Sequence, residues 1–288
     1  MIDNSTVGVV ILNYNDSETT LSLCNTIKNY EDIDKILIVD NLSTDNSFEN
    51  LIKIKSDKVL VTRTKTNGGY SYGNNYGARL LINQHRIDYL VFANPDVKFS
   101  GSHIRNLVGY LRKNDLHATA GIMKDSNGEI FRWNGKIYSY AEAILDNTLF
   151  LRRFLNFYDL KYASEDENFI YTDSLPGSLF VINANVFEKI GGFDEEVFLY
   201  FEEAIIAKRL TKCGFKFALL KHESFIHDHS VSINKSLAKI NQIRQYYISK
   251  EYFYFNYFNL SKAKKICLKI ANFYGFFVRK IIYNLLFR

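Results

Sequence analysis

A carboxylate that directly follows a buried strand can hold a divalent cation. Tyr89-Leu90-Val91-Phe92 is a continuous apolar run, and Asn94-Pro95-Asp96 follows it closely. The proline fixes the turn, and the carboxylate of Asp96 is an oxygen ligand of the kind that Mg²⁺ prefers. A cation held there would neutralise a diphosphate. The same tripeptide is also an ordinary Asx turn, so the segment alone leaves both interpretations open.

Two imidazoles late in the chain are further candidate metal ligands. His227-Asp228-His229 follows a strand-like run, and imidazole nitrogens bind many divalent metals. A single histidine is more often structural. Two histidines at i and i+2, in a chain that also offers Asp96, make the metal role as reasonable as the structural one.

Glu202 and Glu203 are adjacent carboxylates after the apolar, aromatic run Leu199-Tyr200-Phe201. A carboxylate beside a water-poor pocket can act as a general base. The alternative is that these are acidic residues favoured at the start of a helix.

The stretch from Asp40 to Ser47 carries more polar groups than a turn requires. Asp40 can accept a hydrogen bond from a nucleobase N–H, and Ser43 or Asp45 can reach a ribose hydroxyl. Asp45 or Ser47 can equally cap the next helix. Both interpretations can hold for different residues of the stretch.

Glycines cluster around the start of a further predicted helix. Asn67-Gly68-Gly69 precedes it, and Gly73-Asn74-Asn75-Tyr76-Gly77 lies within its beginning. Glycine allows close backbone approach, and a helix N-terminus favours an anion. The cluster is compatible with a phosphate site but does not by itself define one.

Alternating strands and helices position these groups in the first hundred residues. The strands are predicted at 7–12, 35–39, 59–61 and 89–92, and the helices at 17–30, 47–54 and 72–84. This alternation predicts a parallel, doubly wound α/β sheet, which binds ligands at the carboxyl ends of its strands. Asn13-Tyr14-Asn15 and the polar clusters above fall at those ends, which favours a site over unrelated turns.

The pattern is less regular in the second half of the chain. Residues 134–173 show no clear period. A strand is predicted at 178–182, helices at 185–190 and 202–213, and a strand at 215–220.

Composition limits the class of protein. The 288 residues are 47% hydrophobic and 23% charged, which excludes wholesale disorder. Cys24, Cys213 and Cys267 are odd in number and widely separated, which indicates a reducing cytosolic setting rather than a disulfide framework. The polar residues after Met1 predict no signal peptide.

Charge is concentrated at the C-terminus. From Ser236 to Arg288 there are ten basic residues and one acidic residue, Glu251, so this stretch carries +9 and the remainder −4. The aromatic runs at 246–255 and 266–273 are too short or too interrupted by lysine to span a bilayer. Basic amphipathic helices of this kind lie in the lipid interface. The alternative is a helical appendage that packs on the body or forms a dimer. The polar clusters at the predicted strand ends give no reason to expect nucleic acid as the partner of this charge.

Taken in order, these segments resemble the family-2 inverting glycosyltransferases of the GT-A fold, especially the rhamnosyltransferase-like branch. The resemblance runs from about Val7 to Ser232. The segments that carry it are Val39–Ser47, Asn67-Gly68-Gly69, Gly73–Gly77, Asn94-Pro95-Asp96-Val97, Pro176–Phe180, Gly191–Glu195, and His227 with Ser230 or Ser232.

The resemblance implies transfer from a nucleoside-diphosphate sugar. Asp96 and His227 would hold Mg²⁺ or Mn²⁺ against the diphosphate, and Glu203, with Glu202 beside it, would supply the carboxylate that deprotonates the acceptor. The residues that it places at the nucleotide sugar are Asn13, Asn15, Asp40, Ser43, Asn67, Gly68, Asn75 and Asn94.

Two positions depart from the usual Glu-Asp-x-Asp of the family. Glu203 stands where the base aspartate is expected, and Ile205 replaces the second aspartate. The loss at Ile205 motivates an alternative function, a catalytically weak sugar-nucleotide-binding subunit that assembles with a partner.

We therefore expect a GT-A-like domain at 1–235 and a basic, aromatic, helical region at 236–288. The expected partners are a nucleoside-diphosphate sugar, a glycan or lipid-linked acceptor of surface polysaccharide synthesis, and the membrane surface. A second copy of the chain is the alternative partner of the C-terminal region. The expected location is cytoplasmic, peripheral at the inner face of the cell membrane.

Overall fold

A computed structural model describes residues 2, 4–130, 135–148, 164–165, 167–228 and 239–286. His229, Ser230, Ser232 and the expected domain boundary at 235 lie outside these residues.

One mixed sheet runs through the described structure. Its ten strands are β1 Val7–Asn13, β2 Lys35–Asp40, β3 Val59–Arg63, β4 Tyr89–Ala93, β5 Val97–Lys98, β6 Ala118–Lys124, β7 Ser164–Glu165, β8 Phe169–Tyr171, β9 Leu179–Asn183 and β10 Phe217–His227. The strand order is β3-β2-β1-β4-β9-β6-β10-β8-β7, and the short β5 pairs with β10.

Helices flank this sheet. They are α1 Ser17–Ile27, α2 Ser47–Leu51, α3 Gly69–His85, α4 His103–Lys113, α5 Tyr140–Leu145, α6 Ala184–Lys189, α7 Glu202–Lys212, α8 Lys239–Tyr257 and α9 Lys262–Leu286. A 3₁₀ turn at Ile52–Ile54 extends α2.

The first half confirms the parallel prediction. β1 pairs in parallel with β2 and β4, and β2 pairs in parallel with β3. Their apolar runs face helices on both sides, as buried parallel strands do. Beyond β4 the sheet changes character, because β9 inserts antiparallel between β4 and β6. This insertion places the 175–178 segment beside the carboxyl end of β4.

Two apolar layers cover the two faces of the sheet. Val9 and Ile11 of β1 pack toward α1 and α4, where Leu107 is fully buried. Val10 points the other way, toward α3, α6 and α7, which contribute Leu81 and other apolar residues. The alternation along β1 follows from the two-residue side-chain period of a strand.

A short helix stands in the stretch that shows no period. Ser139 caps α5 by accepting from the Glu142 amide, and the Glu142 carboxylate accepts from the Ser139 amide. This reciprocal pair is a capping box. The Ser-x-x-Glu spacing in the sequence could therefore have predicted the start of this helix.

The C-terminal helices differ from each other in exposure. In α8, Tyr247, Phe253 and Tyr254 are buried against the body. The stretch 246–255 therefore does not present these aromatic rings to lipid, which corrects the expectation that both aromatic runs lie in the interface. In α9, by contrast, large apolar side chains are exposed. They are Ile266, Ile270, Phe273, Tyr274, Phe277, Ile281 and Leu285.

Within the described residues, none of the helices has both the length and the apolar content needed to cross a bilayer.

Close packing of α3 on the sheet generates a stability prediction. A Cβ atom at Gly77 would lie 2.7 Å from Val10 Cγ1 and 2.9 Å from Val39 Cγ2. These stiff, buried side chains cannot rotate away, so we expect Gly77→Ala to lower the free energy of unfolding by about 1–2 kcal/mol in urea titrations.

The matched control is Gly109→Ala in the middle of α4. A Cβ there meets nothing within 4 Å, so the helix propensity of alanine should stabilise the protein by about 0.5–1 kcal/mol. Equal effects of the two substitutions would contradict the close α3–sheet contact.

Candidate active site

Polar groups from separate strands meet at one edge of the sheet. Asn13 ends β1 and is in register with Asp40 at the end of β2. Asn94 follows β4, which is the other parallel neighbour of β1. The sequence prediction that these strand ends converge is confirmed by this topology.

Asp40 is the centre of a buried hydrogen-bond network. Its Oδ1 accepts from the Ser43 amide at 3.0 Å, and its Oδ2 accepts from Asn13 Nδ2 at 2.9 Å. Arg63 Nε lies 3.2 Å from Asp40 Oδ1. Asn13 in turn accepts from the Thr20 hydroxyl at 2.9 Å. Asn13 and Asp40 are both fully buried. Their side chains therefore hold the loops at this edge in position without being exposed at it.

Ser43 belongs to the same buried network, because its hydroxyl donates to Asp40 Oδ2 at 2.5 Å, whereas Asn15 lies on the outer side and is partly exposed. The Asn15 amide donates to Ser43 Oγ at 2.9 Å, and Asn15 Oδ1 accepts from the Thr44 amide at 2.8 Å. Asn15 and Leu42 both have a left-handed backbone, with φ of 54° and 59°. Such conformations are unusual for residues other than glycine, so the hydrogen bonds hold the two loops in fixed relative positions.

The Asn67-Gly68-Gly69 turn brings the start of α3 to the same edge. Asn67 Oδ1 accepts from Asn41 Nδ2 at 2.9 Å and from the Gly69 amide at 3.2 Å. Gly69 has φ 84°, and a Cβ there would lie 2.2 Å from the Phe198 carbonyl oxygen. Only glycine fits this position.

Asn75 is buried behind the edge rather than facing it. Its Nδ2 donates to the Phe193 carbonyl at 2.9 Å and to Glu195 Oε1 at 2.8 Å, and its Oδ1 accepts from the Phe193 amide at 2.9 Å. The side chain therefore clamps α3 to the segment that leads toward Glu202.

Strand pairing brings the two candidate metal ligands together. β5 pairs antiparallel with β10, and His227 is opposite Val97, the neighbour of Asp96. His227 Nε2 lies 3.1 Å from Asp96 Oδ1, and both side chains are at least nine-tenths buried. The family resemblance implied that both residues hold one ion, whereas their spacing gave no sign of it, because 131 positions separate them.

The geometry of this pair fits a shared divalent ion. Two adjacent ligands of an octahedral ion with bonds of about 2.1 Å lie about 3 Å apart. Within the described part of the chain, no three histidine, cysteine, aspartate or glutamate side chains are arranged to hold a metal. Asp96 and His227 therefore suit an ion that takes its other ligands from water and a diphosphate, as Mg²⁺ commonly does.

The two glutamates open α7 beside the loop that precedes β9. A Cβ at Gly177 would lie 3.8 Å from Glu203 Oε2. Tyr70 donates its hydroxyl to the Gly177 carbonyl at 2.7 Å. On its other side, Glu203 borders an apolar pocket lined by Leu175, Phe180, Ile206, Ala207, Leu210 and Phe217.

Burial raises the pKa of both carboxyl groups. The pKa of Glu202 lies well above its ordinary value because the group is buried and because Glu203 adds a like charge. Burial also raises the pKa of Glu203. Glu202 Oε2 has no hydrogen-bond partner among the described residues. A carboxylate of raised pKa is a stronger base near neutral pH than an ordinary one.

The glutamates and the candidate metal ligands share one edge of the sheet. The Asn94 amide donates to the Ser178 carbonyl at 2.8 Å, and Ser178 directly follows Gly177, which lies beside Glu203. Asp96 is two residues beyond Asn94. The candidate base and the candidate metal ligands thus lie on either side of the junction between β4 and β9.

Sequence reasoning missed two residues that shape this site. Arg63 pairs with Asp40, and its position at the end of β3 in register with Asp40 was a possible signal. Tyr70 links α3 to Gly177, and no sequence signal distinguished it from the many other tyrosines. Burial and the charges of Glu202 and Glu203 raise its pKa well above the ordinary value, so it remains a hydrogen-bond donor.

The fold and this edge define a glycosyltransferase of the GT-A class. Residues 8–190 match the family described as "Glycosyl transferase family 2". The chain therefore belongs to glycosyl transferase family 2. It is also 24% identical over 231 residues to the low-salt glycan biosynthesis hexosyltransferase Agl10 of Haloferax volcanii, covering 80% of this chain and 69% of that protein.

Solved structures show the same fold at low sequence identity. The mannosyltransferase PcManGT from Pyrobaculum calidifontis, in complex with GDP-Man and Mn²⁺, is 13% identical with a TM-score of 0.60, covering 94% of this chain and 71% of that one. GalNAc-T7 with UDP, GalNAc and Mn²⁺ is 17% identical with a TM-score of 0.60, covering 98% and 58%. S. aureus TarS 1-349 with UDP-GlcNAc is 13% identical with a TM-score of 0.59, covering 98% and 76%.

The buried glutamates predict a pH-dependent cost in stability. A folded-state pKa above the ordinary 4.5 means that the folded protein holds a proton that the unfolded chain has released. Stability therefore falls as the pH rises above about 4.5. We expect Glu202→Gln to raise Tm at pH 7.5, by about 2–4 °C for each kcal/mol relieved, and to raise it less at pH 5.

The control for this comparison is Glu188→Gln on the exposed side of α6. It should leave Tm nearly unchanged at both pH values. If Glu202→Gln instead lowers Tm at pH 7.5, the ionised Glu202 carboxylate does not destabilise the folded protein, and the prediction is wrong.

Proposed function

We propose that the protein is an inverting glycosyltransferase that uses a nucleoside-diphosphate sugar and a divalent cation. The observation that carries the proposal is the convergence of the Asp96–His227 pair and the Glu202–Glu203 pair on one sheet edge, in a chain of family 2. The solved relatives bind GDP-Man, UDP or UDP-GlcNAc, which supports a nucleotide-sugar donor.

The donor would lie along the carboxyl ends of β1, β2 and β4. Asn15, Asn67, Gly68 and Asn94 are partly exposed at this edge and are the groups that we assign to direct contact. Asn13, Asp40 and Ser43 are buried behind them, and Asn75 holds the neighbouring 193–195 segment, so these four would position the pocket through the network described above.

Asp96 and His227 would hold Mg²⁺ or Mn²⁺, which when bound would neutralise the charge that develops on the departing diphosphate. Glu203 would remove the proton from the acceptor hydroxyl. The freed oxygen would then form a bond to the anomeric carbon as the bond to the nucleoside diphosphate breaks, in one displacement that inverts the configuration. The apolar pocket beside Glu203 keeps the carboxylate poorly solvated and therefore basic.

A catalytically weak sugar-nucleotide-binding subunit is the alternative function. It was motivated by Ile205, which stands where the family usually has an aspartate. In the structure Ile205 is fully buried among apolar residues of α5, α8 and α9. A carboxylate there would be desolvated without a partner, so the isoleucine is explained by packing and is not itself a sign of lost activity.

The acceptor that we propose is a glycan or a lipid-linked saccharide of surface polysaccharide synthesis. The similarity to a glycan biosynthesis hexosyltransferase supports this class. A lipid-linked acceptor requires the site to work near a membrane, and we propose that the protein acts peripherally at the cytoplasmic face of the cell membrane.

The exposed face of α9 supports the membrane proposal. Its apolar residues recur at i, i+4, i+7 and i+11, so Ile266, Ile270, Phe273 and Phe277 lie along one stripe. Phe273 is 72% exposed and Leu285 is 77% exposed. Lysines flank the stripe at positions 262, 264, 265, 269 and 280. Apolar rings between basic residues suit an anionic lipid interface. The alternative is that two copies of the chain form a dimer through the same stripe, so the experiment must also measure the oligomeric state.

The test of the reaction is transfer by the purified protein with Mn²⁺ and panels of sugar nucleotides and acceptors, followed by release of nucleoside diphosphate. We expect Glu203→Gln to retain donor binding in calorimetry and to lower turnover by about 10²–10⁴-fold, because it removes the base. Asp96→Ala should abolish both metal-dependent donor binding and turnover. Glu188→Gln should behave as the wild type.

Tight donor binding by the wild type without turnover across both panels would favour the binding-subunit alternative. Unchanged turnover in Glu203→Gln would reject Glu203 as the base, and full activity of Asp96→Ala would remove it from the metal site.

The test of the membrane proposal is sedimentation with vesicles of phosphatidylglycerol and phosphatidylcholine. We expect the double variant Phe273→Ser and Phe277→Ser, in the full chain, to bind these vesicles at least about tenfold more weakly than the wild type. The reason is that it removes apolar side chains that would be buried in the lipid. Vesicles of phosphatidylcholine alone should bind the wild type weakly.

The matched control replaces Ile52 and Ile130, which are exposed apolar residues outside α9, with serine. It should bind vesicles as the wild type does. If the Phe273/Phe277 variant still sediments fully, or if it instead converts a dimer to a monomer, the stripe does not serve as the membrane surface.

A further inference from the structure

Helix α8 packs directly on the segment that leads into the two glutamates. The Ser249 hydroxyl donates to the Leu199 carbonyl at 2.7 Å. Tyr252 and Tyr257 donate their hydroxyls to Asp194 Oδ2 at 3.0 and 2.5 Å. The 194–199 segment is therefore tied to α8 at both of its ends.

The backbone just before Glu202 is strained. Tyr200 and Phe201 are consecutive and both left-handed, with φ of 71° and 68°. Such a conformation is unfavourable for an L-amino acid other than glycine and persists only when the surroundings hold it. Something outside the segment must therefore stabilise this turn.

Aromatic side chains of α8 provide that support. The Phe201 ring lies 5.3 Å from the Phe253 ring and 5.5 Å from the Tyr246 ring, measured between centroids. The Tyr200 ring lies 6.0 Å from Tyr246. Such contacts are favourable beyond the apolar area that they bury, and they fix both residues of the strained turn.

The first turn of α7 is anchored in the same way. Ile205 packs in a buried apolar cluster with Ala143, Val197, Phe253, Tyr254 and Leu268. Glu202, Glu203 and Ile205 are thus on one helical turn whose apolar side faces the C-terminal helices, while Glu203 lies beside Gly177. A shift of α8 would therefore move both glutamates.

A buried ionic cluster also holds α8 against the body. Lys250 is next to Ser249, and its Nζ lies 3.0 Å from Asp146 Oδ2 and 3.1 Å from Asn147 Oδ1. Arg279 of α9 donates to the Asp146 carbonyl at 3.0 Å. A buried charge that loses its partner is strongly unfavourable, so this cluster resists displacement of α8 from the body.

We propose that α8 is a positioning element of the active site, with Ser249 and Phe253 acting through the left-handed turn at Tyr200 and Phe201 to place the Glu202–Glu203 pair. The proposal rests on the proposed function of Glu203 as the base. The basic C-terminal region is then not a detachable tail, and Ser249 and Phe253 are positioning residues of the transfer reaction.

The test uses Ser249→Ala and Phe253→Leu in the full chain. We expect each variant to lower kcat by about 10-fold or more, because a small misplacement of the base is costly, while KM for the donor stays unchanged. Hydrogen–deuterium exchange at 199–205 should become faster, while exchange in β1 and β4 should not. Ile248→Ala, at an exposed neighbouring position of α8, is the matched control and should change none of these values.

The outcomes separate this inference from the proposed function. Unchanged kcat and unchanged exchange at 199–205 in Ser249→Ala would overturn the positioning role even if the enzyme transfers sugar. A uniform rise in exchange across the sheet, with KM and kcat both impaired, would show a merely structural role and also overturn it. If no donor and acceptor pair supports turnover, the proposed reaction is rejected. Faster exchange confined to 199–205 in the variants would still show that α8 holds this segment in place.

Discussion

The hydrogen bond from the Asn94 amide to the Ser178 carbonyl joins the two halves of the candidate site. On one side of it lies the parallel α/β half, which ends in Asp96. On the other side lies the antiparallel strand β9, whose preceding loop lies beside Glu203. Because β9 inserts between β4 and β6, groups that are more than one hundred positions apart in the sequence come to share one edge. Without this insertion, the carboxylate pair and the candidate metal ligands would have no reason to be neighbours.

Burial of charge connects stability with chemistry in this protein. Glu202 and Glu203 are desolvated, and Glu202 Oε2 lacks a hydrogen-bond partner within the described structure. This arrangement costs folding free energy when the carboxyls are ionised, and the same desolvation makes them better bases. Asp40 shows the opposite arrangement, since its buried carboxylate is paired with Arg63 and accepts several hydrogen bonds. Two buried acidic sites thus differ in role because their partners differ.

The two C-terminal helices differ in position, because α8 packs on the body while α9 exposes apolar side chains at the surface. α8 supports the strained turn before Glu202, and the Asp146–Lys250–Arg279 cluster ties α8 to α5 and α9. α9 then presents its apolar stripe outward. The positive charge of this region is accordingly divided, because Lys250 and Arg279 are engaged in the interior while other lysines flank the exposed stripe.

The sequence by itself determined the parallel half of the sheet, since short apolar runs such as 35–39 and 89–92 alternate along the chain with segments of helical period. It also determined the family, through motifs kept in order, and it identified Asp96, His227 and Glu203 as groups with useful chemistry. It did not determine what Asn75 binds, that α8 is buried against the body, or why isoleucine occupies position 205. Those depend on which surfaces meet: Asn75 faces Phe193, and Ile205 faces Phe253. Local periodicity reports which side of an element is apolar, but only the tertiary structure decides what that side packs against, because long-range contacts leave no mark in the spacing of residues.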